Sequence, residues 1–162
     1  MYCVSAWDAW DSAYNYYETK EEIFLALLTE EYDRWTSDIK KLADSRFQMT
    51  GDELAHELAG ILKDREVLLK ILAVNLYEIE ENSRLDNLPE YKAAFKKTVE
   101  VFEEVLRNFL SELSKEKIEE IRYAFYPFMY GIYPYVHPTV TVSRCRRTLG
   151  GAQHVGGQDI EG

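Results

Sequence analysis

Apolar residues recur at spacings of three and four along most of the chain, which is the pattern of amphipathic helices. The first such face begins after Thr19 and consists of Ile23, Phe24, Leu27, Leu28, Tyr32, Trp35, Ile39 and Leu42. Similar faces follow at residues 54–62 and 67–79. The clearest face consists of Tyr91, Phe95, Val99, Phe102, Leu106, Phe109 and Leu113. A last helix is expected from Ser114 to the region of His137. The pattern predicts an all-α bundle of about six helices.

The predicted helices begin at residues that can cap them. Thr19 is followed three positions later by Glu22, and Thr50 by Glu53, so both pairs predict capping boxes. From Thr139 the composition changes, because residues 139–162 contain five of the eight glycines and no Phe, Trp or Tyr. Such a segment cannot bury enough apolar surface to fold. We therefore predict a disordered Gly-rich tail there.

The residues that lead into the first long helix carry a family resemblance. They are Ser12-Ala13-Tyr14-Asn15-Tyr16-Tyr17-Glu18-Thr19-Lys20-Glu21-Glu22-Ile23-Phe24. This segment resembles the pattern Thr/Ser-x-Tyr-x-Tyr-Phe-x-x-Lys-Glu-x-Leu at the end of the DNA-binding domain of TetR/AcrR-family transcriptional regulators. In that family it forms the recognition helix of a helix-turn-helix and the start of the linking helix. The layout of the chain to about His137 is similar to the family's helical regulatory domain.

The resemblance implies a DNA-contacting role for four residues. Positions matching Ser12, Tyr14, Tyr16 and Lys20 would lie against the DNA backbone or brace the recognition helix. Only about eighteen residues precede the linking helix, whereas such a domain needs about three helices. We therefore expect residues 1–18 to be a remnant of the DNA-binding domain with an atypical N-terminus, and residues 19–138 to be the regulatory domain.

Charge and cysteine content narrow the function further. The 162-residue chain has a formal net charge of −10, which argues against strong DNA binding by the chain itself. Its two cysteines, Cys3 and Cys145, are too few for a disulfide framework and favour a cytoplasmic location. Residues 123–143 contain no Asp, Glu, Lys or Arg, but their prolines and tyrosines favour a buried bundle helix over a membrane span.

A cluster of aromatic residues suggests where a ligand could bind. The resemblance implies an inducer pocket inside the bundle, and Tyr rings supply apolar area together with an orienting hydroxyl. The candidate ligand contacts are Asn75, Tyr77, Phe102, Tyr123, Tyr126, Met129 and Tyr130. The alternatives are that the aromatic residues form ordinary core or a dimer interface, and that Asn75 is a buried amide with its hydrogen bonds satisfied.

Catalytic and metal chemistry have little support. Glu53 and His56 have the Glu-x-x-His spacing of di-iron bundles, but those sites need a second such pair and two further carboxylates. We therefore expect neither an enzyme nor a cofactor.

The sequence as a whole predicts a ligand-responsive transcriptional regulator of the TetR/AcrR type, in the form of a fragment with impaired DNA binding. The resemblance implies a homodimer that binds a small-molecule effector, with operator DNA bound by an intact relative. No membrane partner is expected. The alternative is a helical protein that does not bind DNA and instead binds ligands or forms heterodimers with intact relatives.

Overall fold

The computed structural model describes residues 17–45, 48–73 and 76–151. Within these residues the chain has seven α-helices and no strand, which confirms the predicted all-α class. The helices are α1 (Lys20–Ser45), α2 (Gly51–Lys63), α3 (Glu66–Ala73), α4 (Leu76–Glu81), α5 (Leu88–Phe109), α6 (Lys115–Val136) and α7 (Val140–Gly151). A 3₁₀ turn, Leu85–Asn87, precedes α5. No helix in this part of the chain has both the length and the hydropathy that a membrane span requires.

Helix α1 lies at the centre of the bundle. It packs along α5 and also contacts α2, α3 and α4, while α3 packs on α6. Most of its predicted apolar face is buried, with Tyr32 and Trp35 fully inside the core, but Leu27 is 37% exposed. A polar contact is buried between the two long helices, where the hydroxyl oxygens of Thr36 and Thr98 lie 2.7 Å apart. The Thr98 hydroxyl also donates to the Ala94 carbonyl oxygen at 2.9 Å. The two threonines thus satisfy each other in an apolar environment.

Helix caps account for the starts of α2 and α6. The Glu53 backbone N–H donates to the Thr50 hydroxyl at 3.3 Å, and the Thr50 N–H donates to the Glu53 carboxylate at 2.9 Å. This reciprocal pair confirms the predicted capping box. The Ser114 hydroxyl accepts from the Lys117 N–H and begins α6 in the same way.

The start of α1 departs from a standard capping box. The Glu22 N–H donates to the Thr19 hydroxyl at 3.3 Å, as predicted. The Glu22 carboxylate, however, accepts from the Glu18 N–H at 2.8 Å and binds Arg84, which lies 62 residues further along the chain. The local pattern predicted that the Glu22 carboxylate caps the helix, but in the structure it binds Arg84 from the loop before α5.

The C-terminal part of the structure differs from the predicted disordered tail, because residues 140–151 form α7. Thr139 precedes the helix and caps it: its hydroxyl accepts from the Val142 N–H at 3.3 Å, and its carbonyl oxygen accepts from the Ser143 N–H at 2.9 Å. Val140 and Val142 are exposed, so this helix is stabilised more by its cap and its backbone hydrogen bonds than by burial of these side chains. Residues 152–162 lie outside the described residues.

Candidate ligand-binding sites

A cavity of about 360 Å³ lies between α2, α5 and α6. We call it the apolar pocket. It is lined by Gly51, Leu54, Ala55, Leu58, Ala59, Leu62, Phe102, Leu106, Leu110, Ile121, Phe125 and Phe128. The small side chains of Ala55 and Ala59 leave room between the leucines of α2 and the rings of the other two helices. Every lining side chain is apolar, and the volume lies at the lower end of the range for small-molecule sites.

The back of the apolar pocket is part of the aromatic core. The Phe102 and Phe125 rings are stacked, with centroids 4.6 Å apart and planes at 23°. The Trp35 ring of α1 stacks on Phe125 at 6.0 Å. Offset stacked rings of this kind stabilise each other beyond the apolar area that they bury. The Phe125 ring therefore lies between the pocket and Trp35 of α1.

A second cavity of about 410 Å³ lies between α5 and α6 on another side of α6. We call it the tyrosine groove. It is lined by Phe95, Lys96, Val99, Arg122, Tyr123, Tyr126, Pro127 and Tyr130. The tyrosine spacings of three and four place these rings on one face of α6. Tyr126 is buried, Tyr130 is half-buried and Tyr123 is 71% exposed. The groove therefore runs from the core to the surface.

Arg122 gives the tyrosine groove a positive character. Its Nη1 lies 3.3 Å from Glu103 Oε1, and its guanidinium lies 4.6 Å from the centre of the Tyr123 ring. Arg107 contacts the other oxygen of Glu103 at 2.5 Å. One carboxylate therefore serves two guanidinium groups. Burial raises the pKa of Tyr126 and of Tyr130 above the ordinary value, so both hydroxyls are protonated at neutral pH.

A set of polar contacts, which we call the α1 clasp, holds the first turn of α1. Arg84 Nε donates to Glu22 Oε1 at 2.7 Å, and Arg84 Nη1 donates to Glu18 Oε1 at 3.1 Å. The Thr19 hydroxyl donates to the Asn82 carbonyl oxygen at 3.4 Å. Glu22 is only 1% exposed, and the hydrogen bonds from Arg84 lower its pKa to about 2. The clasp joins the start of α1 to the loop before α5.

The predicted ligand contacts separate into different places. Phe102 lines the apolar pocket, whereas Tyr123, Tyr126 and Tyr130 line the tyrosine groove. Met129 is fully buried, and Tyr77 is 70% exposed on α4 and lines neither cavity. Asn75 lies outside the described residues.

The contribution of α2 to the apolar pocket was not predicted from the sequence. Its available signal was the pair Ala55 and Ala59 beside a stripe of leucines at positions 54, 58 and 62. Arg122 was also not predicted as a site residue, because no local feature of the sequence distinguishes an arginine in a groove from a solvated arginine on a helix.

Most of the predicted DNA contacts lie outside the described residues, namely Ser12, Tyr14 and Tyr16. Lys20 begins α1, is 79% exposed at its side chain and lies 3.5 Å from the Glu21 carboxylate. Glu53 of the Glu-x-x-His pair is engaged in the α2 cap. Within residues 17–45, 48–73 and 76–151, no group of three or more His, Cys, Asp or Glu residues is arranged to hold a metal ion.

Of three comparisons with known proteins, one gives a match. The comparisons with curated proteins and with solved structures give no match. A family model described as "Tetracyclin repressor-like, C-terminal domain" matches residues 29–153. This match covers most of α1 and all the helices that form the two cavities. The chain therefore belongs to the family of tetracycline-repressor-like C-terminal domains.

Proposed function

We propose that this chain is the regulatory part of a ligand-responsive TetR/AcrR-type transcriptional regulator, and that it binds a small apolar effector in the apolar pocket. Members of this family in general dimerise and bind small molecules. The observation that carries the proposal is the apolar pocket itself. Its lining offers no charged group, so the effector is expected to be a neutral molecule held by burial of its apolar surface.

The position of the pocket supports a regulatory role. An effector there would contact α2, α5 and α6 at once. Phe125 connects the pocket to α1, because it lines the pocket and its ring stacks on Trp35. Differential binding to two arrangements of these rings would couple occupancy to the orientation of α1. In an intact relative, that orientation would set the spacing of two DNA-reading heads against successive duplex turns.

The exposed side of α6 supports homodimer formation. Ala124, Phe128, Gly131 and Tyr135 are exposed at spacings of four, three and four, so they form one stripe, which we call the α6 stripe. No charged residue occurs from Tyr123 to Ser143. An uncharged stripe of aromatic and small residues suits close packing against the same stripe of a second copy.

A Trp substitution tests the apolar pocket. Ala59 lines the pocket and is itself exposed, so Ala59→Trp should fill the pocket with little strain. The neutral dye Nile red is the probe, measured by fluorescence titration. We expect Ala59→Trp to weaken dye binding about tenfold or more, a loss equivalent to about 1.4 kcal/mol. His56→Trp is the matched control, because His56 is exposed on α2 and does not line the pocket. Equal binding by both variants would contradict the proposal.

Two glycine substitutions test the α6 stripe. A Cβ added at Gly131 or at Gly60 would meet no atom within 4 Å, so each Gly→Arg variant should fold. We expect sedimentation velocity to show a dimer for the original chain and for Gly60→Arg, and a monomer for Gly131→Arg. Circular dichroism should show unchanged helicity in both variants. A dimeric Gly131→Arg or a monomeric original chain would exclude this stripe as the interface.

We also propose that DNA binding by this chain is impaired, and its net charge of −10 supports this. The same charge favours the alternative, a ligand-binding or heterodimerising protein without DNA affinity. Fluorescence anisotropy with labelled duplex DNA over a salt series tests both. Binding that falls steeply with added salt would show phosphate contacts and contradict the impairment. Absence of binding at low salt, together with pairing to an intact relative, would support the alternative.

A further inference from the structure

We infer that the tyrosine groove binds a small organic monoanion with a flat apolar body, such as an aryl carboxylate. The inference concerns a different cavity from the apolar pocket and does not depend on the function proposed for that pocket. It rests on three features of the groove: a net positive local charge, donors of Arg122 that Glu103 does not use, and walls of apolar side chains and neutral phenols.

The first feature is the local charge. Arg107 and Arg122 both contact the single carboxylate of Glu103, so these three side chains carry a net charge of +1. Lys96 at the rim has its Nζ 3.8 Å from the Glu100 carboxylate, which is a long contact. This positive site stands out in a chain with a net charge of −10. A single positive charge suits a monoanion better than a dianion.

The second feature is the capacity of Arg122 for a further acceptor. Its side chain is 28% exposed, and its contact with Glu103 uses Nη1. Its Nε–H is buried without a hydrogen-bond partner. A guanidinium has five N–H donors in a planar fork that fits a carboxylate. Arg122 therefore has donors that Glu103 does not use.

The third feature is the shape and chemistry of the walls. Phe95, Val99 and Pro127 supply apolar surface, and the exposed Tyr123 ring lies beside the guanidinium. Tyr126 and Tyr130 line the inner part of the groove as neutral phenols. The volume of about 410 Å³ accommodates a molecule with two fused rings. An inorganic anion would leave these walls unused, so the preferred ligand combines an anionic group with an apolar body.

A matched pair of probes tests the charge requirement. Isothermal titration of the full chain with 2-naphthoate and with 2-naphthamide compares the same rings with and without the anionic charge. We expect 2-naphthoate to bind at least tenfold more tightly at neutral pH. Equal affinities for the two compounds would overturn the inference.

A matched pair of variants tests the role of Arg122. Arg122→Met leaves Glu103 paired with Arg107, and Arg107→Met leaves it paired with Arg122, so each removes one positive charge from the same group. We expect Arg122→Met to reduce 2-naphthoate affinity to that of 2-naphthamide. Arg107→Met removes the same net charge but keeps the donors of Arg122, so it should cause a clearly smaller loss. Equal losses in both variants would show a general charge effect and overturn the site.

Two further variants keep the result decisive. If Arg122→Met does not fold, Arg122→Lys retains the charge without the planar fork and should weaken 2-naphthoate binding several-fold. Unchanged binding would overturn the inference. Ala59→Trp should leave 2-naphthoate binding unchanged, whereas loss of binding in that variant would place the anion in the apolar pocket. Nile red binding by Arg122→Met should be unchanged, so failure of one proposal is distinguishable from failure of the other.

Discussion

Helices α1 and α6 have comparable amphipathic sequences but are held in the molecule by different forces. Within the described part of the chain, four ion pairs join α1 to other segments, namely Glu22 with Arg84, Glu31 and Asp38 with Arg65, and Asp33 with Lys97. From Tyr123 onward, α6 has no charged side chain and packs through aromatic rings. Its outer side is exposed and equally uncharged.

This difference indicates a division of roles. A charged hydrogen bond requires one partner in one geometry, so the pairs on α1 specify how that helix is oriented. Apolar contact is non-directional and scales with buried area, so the surface of α6 can pack against a ligand, a second chain or both. We therefore expect the ion pairs to set how α1 is oriented against its neighbours, and α6 to be the helix against which a ligand or a second chain packs. The following predictions test that division.

The largest effect is expected where the two helices meet. Trp35 is fully buried and its ring lies within 6.4 Å of the ring centres of Tyr32, Phe125 and Tyr126. Trp35→Ala should lower the free energy of unfolding by about 3–5 kcal/mol through the cavity that it creates. Trp35→Phe should cost clearly less, because Trp35 Nε1 has no hydrogen-bond partner to lose. Chemical denaturation measures the free energy of unfolding of both variants. Equal losses would show that an aromatic ring at position 35 does not stabilise the contact between α1 and α6.

The next effect should come from the α1 clasp. Arg84→Met leaves Glu22 buried without its cation, and we expect a loss of about 1–3 kcal/mol in the free energy of unfolding at pH 7. Glu22→Gln in the same background should recover part of that loss, because no unpaired charge then remains. A double-mutant cycle measures the coupling between the two residues. Absence of coupling would contradict the claim that ion pairs hold α1 in place. Gly131→Arg on α6 should not share this loss.

The clasp also predicts a pH dependence. The pKa of Glu22 falls from an ordinary 4.5 to about 2 in the folded chain. The folded state therefore binds fewer protons than the unfolded state in this window, and the contribution of Glu22 to stability is complete above about pH 4.5. It is lost as the pH falls towards 2. Unfolding measured between these pH values should be less pH-dependent in Glu22→Gln. The exposed control Glu104→Gln should retain the original slope.

The smallest effect is expected at Tyr77. Its side chain is 70% exposed on α4, so Tyr77→Ala should change the free energy of unfolding by no more than about 0.5 kcal/mol. Binding of Nile red and of 2-naphthoate should also be unchanged, because Tyr77 lines neither cavity. Weaker binding of either probe would restore Tyr77 as the ligand contact that the sequence predicted.

Local patterns in the sequence predicted the helices well for physical reasons. The spacing of apolar residues follows the helical repeat, and the Thr50–Glu53 capping box acts over a single turn. The α7 helix was missed because glycine content dominated the prediction, although the Thr139 cap was present in the sequence. Residues 74–75 lie between α3 and α4, where the apolar pattern predicted one helix, and they are outside the described residues.

The candidate sites could be predicted only in part. Tyr123, Tyr126 and Tyr130 share a helical stripe, but the wall opposite them comes from α5, about thirty residues earlier. Phe102 belongs to a different cavity because α2 covers the other side of α5 and α6. Glu22 and Arg84 are 62 residues apart, so no local sequence pattern indicates that they pair. Which face meets which neighbour is a property of tertiary packing, which helical periodicity does not determine.

The length of α1 means that a small tilt at Trp35 would become a larger displacement at the start of the helix. Trp35 lies fifteen residues after Lys20, which corresponds to about 22 Å along the helix axis. A tilt of about 5° at the Trp35–Phe125 contact would displace the first turn of α1 by about 2 Å over that length. The clasp holds this turn to the loop before α5, so such a displacement would also move Arg84 and its loop. A small rearrangement at this one aromatic contact would therefore move two chain segments together, the start of α1 and the loop before α5.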